Sequence, residues 1–252
     1  MEKYNEIKVK SLKKALEILE CFLEKKSLGV TEISEKMDLY KSNVHNILTT
    51  FAAMDYLEQD SETGKYRLGP AAAVLGRAYY ERLNIVNLVA PFARDIANEV
   101  GEKVYLSIPR GNEVLYLDAY YPEGQRMWME YVTGECVKMY YTGVGKAFLA
   151  QMKEEEAEEC IREEIVPITN YTITDKDVLR QEIQRTKELG YGLDNMELSF
   201  GSRCIGVALI NSRGIIEAGL SISASSLRMT DENISDFAEV LKKYARKIEQ
   251  ML

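Results

Sequence analysis

The chain has 252 residues, 46% hydrophobic and 29% charged, which suits one large or two modest globular domains. No run approaches the roughly 18 apolar residues of a membrane span, and the opening Met1-Glu2-Lys3-Tyr4-Asn5-Glu6 lacks a signal-peptide pattern, so a cytoplasmic protein without membrane contact is expected. The net charge of −8 makes the distribution of charge decisive, and the single histidine, His45, excludes a Ser-His-Asp or Cys-His catalytic group or a His-ligated metal in the later part of the chain.

Ser11 is placed to cap a first helix whose apolar stripe is Leu12, Ala15, Leu16, Leu19, Phe22 and Leu23. Ser27-Leu28-Gly29 ends it. Thr31 is placed to cap a second helix carrying Ile33 and Met37, and a turn around Asp38-Leu39 leads to a third, from Lys41 to Met54. In that third helix Val44, Ile47, Leu48 and Phe51 recur at helical spacing and face a core. The opposite face presents Lys41, Ser42, Asn43, His45, Asn46 and Thr49. Tyr56 to Gln59, the polar turn Asp60 to Gly64, and Lys65 to Gly69 predict a two-stranded wing. This order predicts a winged helix-turn-helix over residues 1–70, which sets one helix in the DNA major groove.

The chemistry of the exposed face agrees. Asn pairs bidentately with adenine, and Asn43 and Asn46 share a face beside Ser42 and His45. Lys41 and Ser42 at the helix start suit phosphate, and Lys65 and Arg67 in the wing suit the DNA backbone or minor groove. Residues 1–75 hold 11 basic and 12 acidic residues, leaving 21 and 28 for the remainder. The acid therefore sits outside the DNA module, where it repels DNA and leaves only a local basic face to dock. An ordinary solvated helix face is the competing reading.

From Ala71 to about Val89 a helical pattern follows, started by Pro70 and closed by Pro91, and is read as a linker helix over 71–90. Residues 91–252 then form a second domain. A helix runs to Val100. Val104–Ile108 and Val114–Tyr120 are strands about the turn Arg110-Gly111-Asn112, and Gln125–Val132 is a further strand. Helices are expected from Gly143 to Met152, Glu154 to Glu164, Asp175 to Leu189 and Asp231 to Leu252, with strands Cys204–Ile210 and Ile215–Ser221 between the last two. The fold class is α+β: an antiparallel sheet flanked by helices. Cys21, Cys136, Cys160 and Cys204 have no CxxC spacing and are expected as free thiols.

Ordered blocks along the whole chain resemble the isocitrate-lyase-regulator (IclR) family of bacterial transcription factors. They include Ser11 to Leu19, Thr31 to Ser34, Lys41 to Leu48 and Tyr66 to Gly69. Later blocks are Tyr141 to Ala150, Thr172 to Asp175, Gly190 to Asp194, Gly201 to Gly206 and Ser221 to Ser223. The resemblance implies a winged helix-turn-helix on a GAF-like effector domain. It implies homodimers, also paired into tetramers as dimers of dimers, that bind double-stranded DNA operators and answer to a small organic acid. This chain has Asn46 where the family usually has Arg, which points to an operator of its own. It also has Lys138 near a usual Pro and Gly143 at a usual Ala.

Gly143-Val144-Gly145-Lys146 opens a helix, and N–H groups at such a start bind carboxylates. Ser221 and Ser223 alternate on a strand and share a face. Matching the family blocks adds Asp194, Cys204 and Val137. The expected effector site is therefore Val137, Gly143, Val144, Asp194, Cys204, Ser221 and Ser223; for each, a purely structural role stays open. Lys146 suits an acid, a phosphate or a structural ion pair equally. Because Asp194 opposes a bare carboxylate, a hydroxy or keto acid is favoured. The aromatic-rich stretch from Tyr120 to Tyr141, with Trp128 and Tyr131, fits either an aromatic acid or core and interface packing. The rival reading is an enzyme with Cys204 as nucleophile and Asp194 as acid/base, against which the missing histidine weighs. Asp194 and Cys204 alone give too few ligands for a metal, and no cofactor is called for.

Overall fold

In the computed structural model, which describes residues 7–124 and 132–252, the chain divides between Arg82 and Leu83 into two compact units. The first begins with α1 (Lys10–Glu24), α2 (Val30–Met37) and α3 (Lys41–Ala53). Strands β1 (Leu57–Gln59) and β2 (Tyr66–Leu68) form the antiparallel wing, and α4 (Pro70–Glu81) follows. Ile18, Phe22, Ile33, Val44, Leu48 and Tyr66 bury into one cluster, so the inward faces read for α2 and α3 hold. The stripe expected on α1 does not: the helix turns Ile18, Cys21 and Phe22 inward and leaves Leu12, Leu16 and Leu23 exposed.

Both expected helix caps shift. α1 starts at Lys10, because the Lys13 N–H already bonds the Val9 carbonyl at 3.1 Å, and Ser11 lies inside the helix. α2 starts at Val30: the Glu32 carboxylate reaches back to the Gly29 N–H at 2.9 Å, so Gly29 holds the cap position and Thr31 falls in the first turn.

The helix expected over 71–90 is two helices. α4 ends at Glu81, and α5 (Asn84–Val100) runs straight through Pro91. Pro91 and Asn87, whose carbonyl loses its partner, are both exposed, so the missing bond falls on the solvent face of the helix. Val89, Ala93, Ile96 and Ala97 on the other face are fully buried and hold the helix together.

The second unit is built on a six-stranded antiparallel sheet. Its strands are β3 (Lys103–Arg110), β4 (Glu113–Tyr120), β5 (Cys136–Lys138), β6 (Gly192–Asn195), β7 (Ser202–Ile210) and β8 (Ile216–Ser225), in spatial order β5-β4-β3-β8-β7-β6. β5 and β6 are too short to have been read from alternation. The strand expected over Gln125–Val132, with Trp128 and Tyr131, lies outside the described residues apart from Val132. The remaining helices are α6 (Gly143–Gln151), α7 (Glu154–Cys160), α8 (Lys176–Leu189) and α9 (Ile234–Glu249). Val104, Leu106, Ile205, Val207, Leu220 and Ile222 alternate onto one buried face, which α5 and α9 cover. α6 lies on the other face with Val144 and Phe148 inward, and α8 packs on α6.

Candidate functional site

The DNA-reading candidates stand on α3 and the wing. Val44 and Leu48 are fully buried, which turns Lys41, Ser42, Asn43, His45 and Asn46 to solvent. No side chain caps α3; the Asn43 and Val44 N–H groups bond the Tyr40 carbonyl at 2.9 and 3.2 Å, so it is the Lys41 and Ser42 N–H groups that point out at its start, toward an anion. Asn43 and Asn46 line one groove with Lys10 and Lys14 of α1. At the wing tip the Asp60 carboxylate accepts from the Glu62 and Thr63 N–H groups at 3.0 and 2.8 Å and from the Thr63 hydroxyl, which hold its carboxyl below the usual range. The wing cations are already engaged: Lys65 pairs with Glu32 at 2.9 Å and Arg67 with Glu58 at 2.9 Å. Sequence alone gave no sign of these pairings, because they join residues distant in the chain or opposed across a strand pair.

The effector candidates gather through strand register. Asp194, Cys204 and Ser223 face one another on β6, β7 and β8. They line a cavity of about 670 Å³ whose wall also includes Val137, Tyr105 and Tyr116. The next row along the sheet is Gly192, Gly206 and Ser221. Its glycines lie under the first turn of α6, and a methyl group on either would overlap the backbone of Gly143 or Val144. A methyl on Gly143 would in turn sit 2.8 Å from the Cys204 carbonyl. Val137, Asp194, Cys204 and Ser223 are thus brought together at the cavity. Gly143, Val144 and Ser221 lie one row away, packed between helix and sheet, and are not among its described lining residues.

Asp194 is buried, and its Oδ1 accepts the Glu197 N–H at 2.7 Å. Burial pushes its carboxyl up to about 7 against that bond; the Glu197 carboxylate adds to the rise and Lys146 opposes it. At neutral pH Asp194 can therefore either donate or accept a hydrogen bond. Burial, reinforced by Asp194, pushes the Cys204 thiol up to about 12, so a thiolate nucleophile is disfavoured.

Lys146 is fully buried, ion-paired with Glu197, and donates to the Leu193 carbonyl at 2.8 Å. Of the open readings for Lys146, the structural ion pair is the one present. Glu197 sits on a loop whose Met196 has φ 63°, pinned by Thr169 Oγ1 to the Met196 carbonyl at 2.7 Å and Thr172 Oγ1 to the Glu197 carbonyl at 2.8 Å. The second bond accounts for Thr172 in its block, and Asp175 there caps α8 by accepting the Asp177 and Val178 N–H groups at 2.8 and 3.1 Å. Sequence reasoning missed Glu197, Tyr105 and Tyr116; only the pairing of β3 with both β4 and β8 would have revealed the tyrosines.

Comparison with known proteins agrees along the chain. The family model for the bacterial transcriptional regulator IclR C-terminal domain matches residues 77–250, and that for the IclR helix-turn-helix domain matches 11–61. The HTH-type transcriptional regulator BhcR of Paracoccus denitrificans is 31% identical over 95% of this chain and 86% of its own length. The crystal structure of the Thermotoga maritima IclR is 32% identical, with a TM-score of 0.70 over 96% of this chain and 98% of that one. An IclR homologue from Microbacterium hydrocarbonoxydans complexed with 4-hydroxybenzoate has a TM-score of 0.77 at 23% identity, over 95% of this chain and 98% of that one, and so shares the fold.

Proposed function

The chain belongs to the IclR family of bacterial transcriptional regulators, and from that premise we propose that a small organic acid in the β6–β7–β8 cavity sets how tightly α3 and the wing hold an operator. The observation that carries the reading is the convergence of Asp194, Cys204 and Ser223 on one cavity. Residues 1–70 are the DNA module, α4 the linker, and the chain from Leu83 the effector module. Lys41 and Ser42 hold phosphate. Asn43, His45 and Asn46 face the bases, and Lys65 and Arg67 exchange Glu32 and Glu58 for DNA backbone. In the effector module Asp194 meets a hydroxyl or carbonyl of the acid, beside Ser223 and Cys204. Val137 closes the apolar side, and Gly143, Val144 and Ser221 set the distance between α6 and the cavity row. The protein acts as a homodimer or a dimer of dimers in the cytoplasm, without catalysis or cofactor; the raised Cys204 thiol supports this over the enzyme reading.

A coupling of roughly 1–3 kcal/mol between effector and DNA changes operator affinity about 5- to 150-fold. The test is to select an operator from random duplexes and follow its binding by fluorescence anisotropy while adding keto, hydroxy and aromatic acids. At least one acid should shift the operator affinity within that range, and Asp194→Asn should reduce the shift. Asn46→Ala should relax base preference at one position by roughly 1–3 kcal/mol. Operator affinity indifferent to every acid would remove the reading.

A further inference from the structure

A row of register partners crosses the cavity from an acid to a base. Asp194 pairs with Cys204, Cys204 with Ser223, and Ser223 with Lys103, so the row runs through β6, β7, β8 and β3. All four residues line the cavity. At about 4.8 Å per strand, three steps set the backbones of Asp194 and Lys103 about 14 Å apart. Lys103 is half-buried and is the one Lys or Arg among the described lining residues. Its Nζ lies 5.9 Å from the centre of the Tyr105 ring, and Tyr105 and Tyr116 stand with ring centres 5.4 Å apart. The polar row therefore has an aromatic wall at its basic end.

The cavity, about 670 Å³, has room for a ring-sized ligand. A carboxylate beside Asp194 meets like charge and a buried environment. Beside Lys103 it meets opposite charge in the same cavity, whose wall there also carries Glu135, and a charge-assisted hydrogen bond to the ammonium is stronger than a neutral one. A ring fits the tyrosine wall between them. Resting on the reading of this cavity as the effector site, we infer that Lys103 anchors the effector's carboxylate. The effector class is then an aromatic hydroxy acid laid along the row, with its ring against Tyr105 and Tyr116 and its hydroxyl on Asp194.

The test titrates the full-length protein by calorimetry with three probes: 4-hydroxybenzoate, its uncharged counterpart 4-hydroxybenzamide, and pyruvate. Wild type should bind 4-hydroxybenzoate more tightly than either of the others. Lys103→Gln should weaken 4-hydroxybenzoate about 10- to 100-fold, the worth of a hydrogen bond to a charged group, while leaving the amide within about twofold of wild type. Lys103→Arg should restore most of the loss, which a merely misfolded variant would not do. Equal weakening of acid and amide by Lys103→Gln, or no weakening, overturns the anchor, as does a wild-type preference for pyruvate. In those cases acid-dependent release of the operator still stands on its own measurement. Failure of 4-hydroxybenzoate to bind wild type overturns the inference, and failure of every acid to shift operator affinity overturns the effector reading with it.

Discussion

Around α3 the polar side chains stand in water, whereas around β6 and β7 they are buried among apolar ones. Lys41, Ser42, Asn43, His45 and Asn46 are exposed on a helix held only by its opposite face. Lys146, Asp194 and Glu197 are buried together, with two carboxylates to one ammonium. The contrast follows from what each surface must do. A reading helix exchanges water for DNA and needs its polar groups unspent. A cavity that discriminates small molecules must hold its polar groups fixed before the ligand arrives, and that requires partners inside the fold. Substitutions of the buried polar groups in the second unit are therefore expected to act through stability, and those on the exposed face of α3 through binding alone.

The largest expected effect is at Glu197. Glu197→Ala leaves the Lys146 ammonium buried against the Leu193 carbonyl without its carboxylate, a loss of about 3–5 kcal/mol for breaking one side of a buried pair. Hydrogen exchange should show protection falling along β6, β7 and α6 while α1 to α3 keep theirs. Replacing both residues, Lys146→Met with Glu197→Leu, should recover much of the loss, because the uncompensated charge is then gone. Equal loss of protection in the two units would show that they share one fate and are not separately held.

A smaller effect is expected from pH. The Asp194 carboxyl is raised in the folded chain to about 7 from an ordinary 3.8. Between those values the folded state binds the extra proton, so stability falls as pH rises through the window and the penalty is complete above it. Its size is on the order of a few kcal/mol. Urea unfolding from pH 5 to 8 should show wild type losing stability relative to Asp194→Asn, whose amide oxygen can still accept the Glu197 N–H. Parallel pH profiles for the two proteins would show that Asp194 is solvated and the site open.

The same contrast explains what could be read in advance. The helix-turn-helix was legible because its information is local: the spacing of Val44, Ile47, Leu48 and Phe51 fixes which residues face out. The α+β class and most strands of the second unit were legible for the same reason. The cavity row was not, since Lys103 and Ser223 are 120 positions apart and meet only through β3–β8 pairing. Asp194 and Cys204 come from matching family blocks and Ser223 from its alternation with Ser221, with no physical signal in the sequence linking the three. The end of the linker helix is not legible from Pro91, because whether a proline stops a helix depends on which side of it faces water.

The smallest effect, and the sharpest test of the exposed face, is at its basic residues. Lys41 is exposed at the uncapped start of α3. Lys41→Ala should leave folding stability within about 0.5 kcal/mol and weaken binding to all duplexes about equally, lowering the slope of log affinity against log salt by roughly one per protomer. Lys65 differs, because its ammonium already lies 2.9 Å from the Glu32 carboxylate. Docking on phosphate there must first give up that partner, so Lys65→Ala should lower the slope by less than Lys41→Ala does. Glu32→Gln should raise affinity slightly by setting Lys65 loose. A salt titration of the three variants against one duplex reads all of this. If Lys65→Ala costs the full unit of slope, the wing cation is as available to DNA as Lys41, and the exposed face is more uniform than its ion pairs imply.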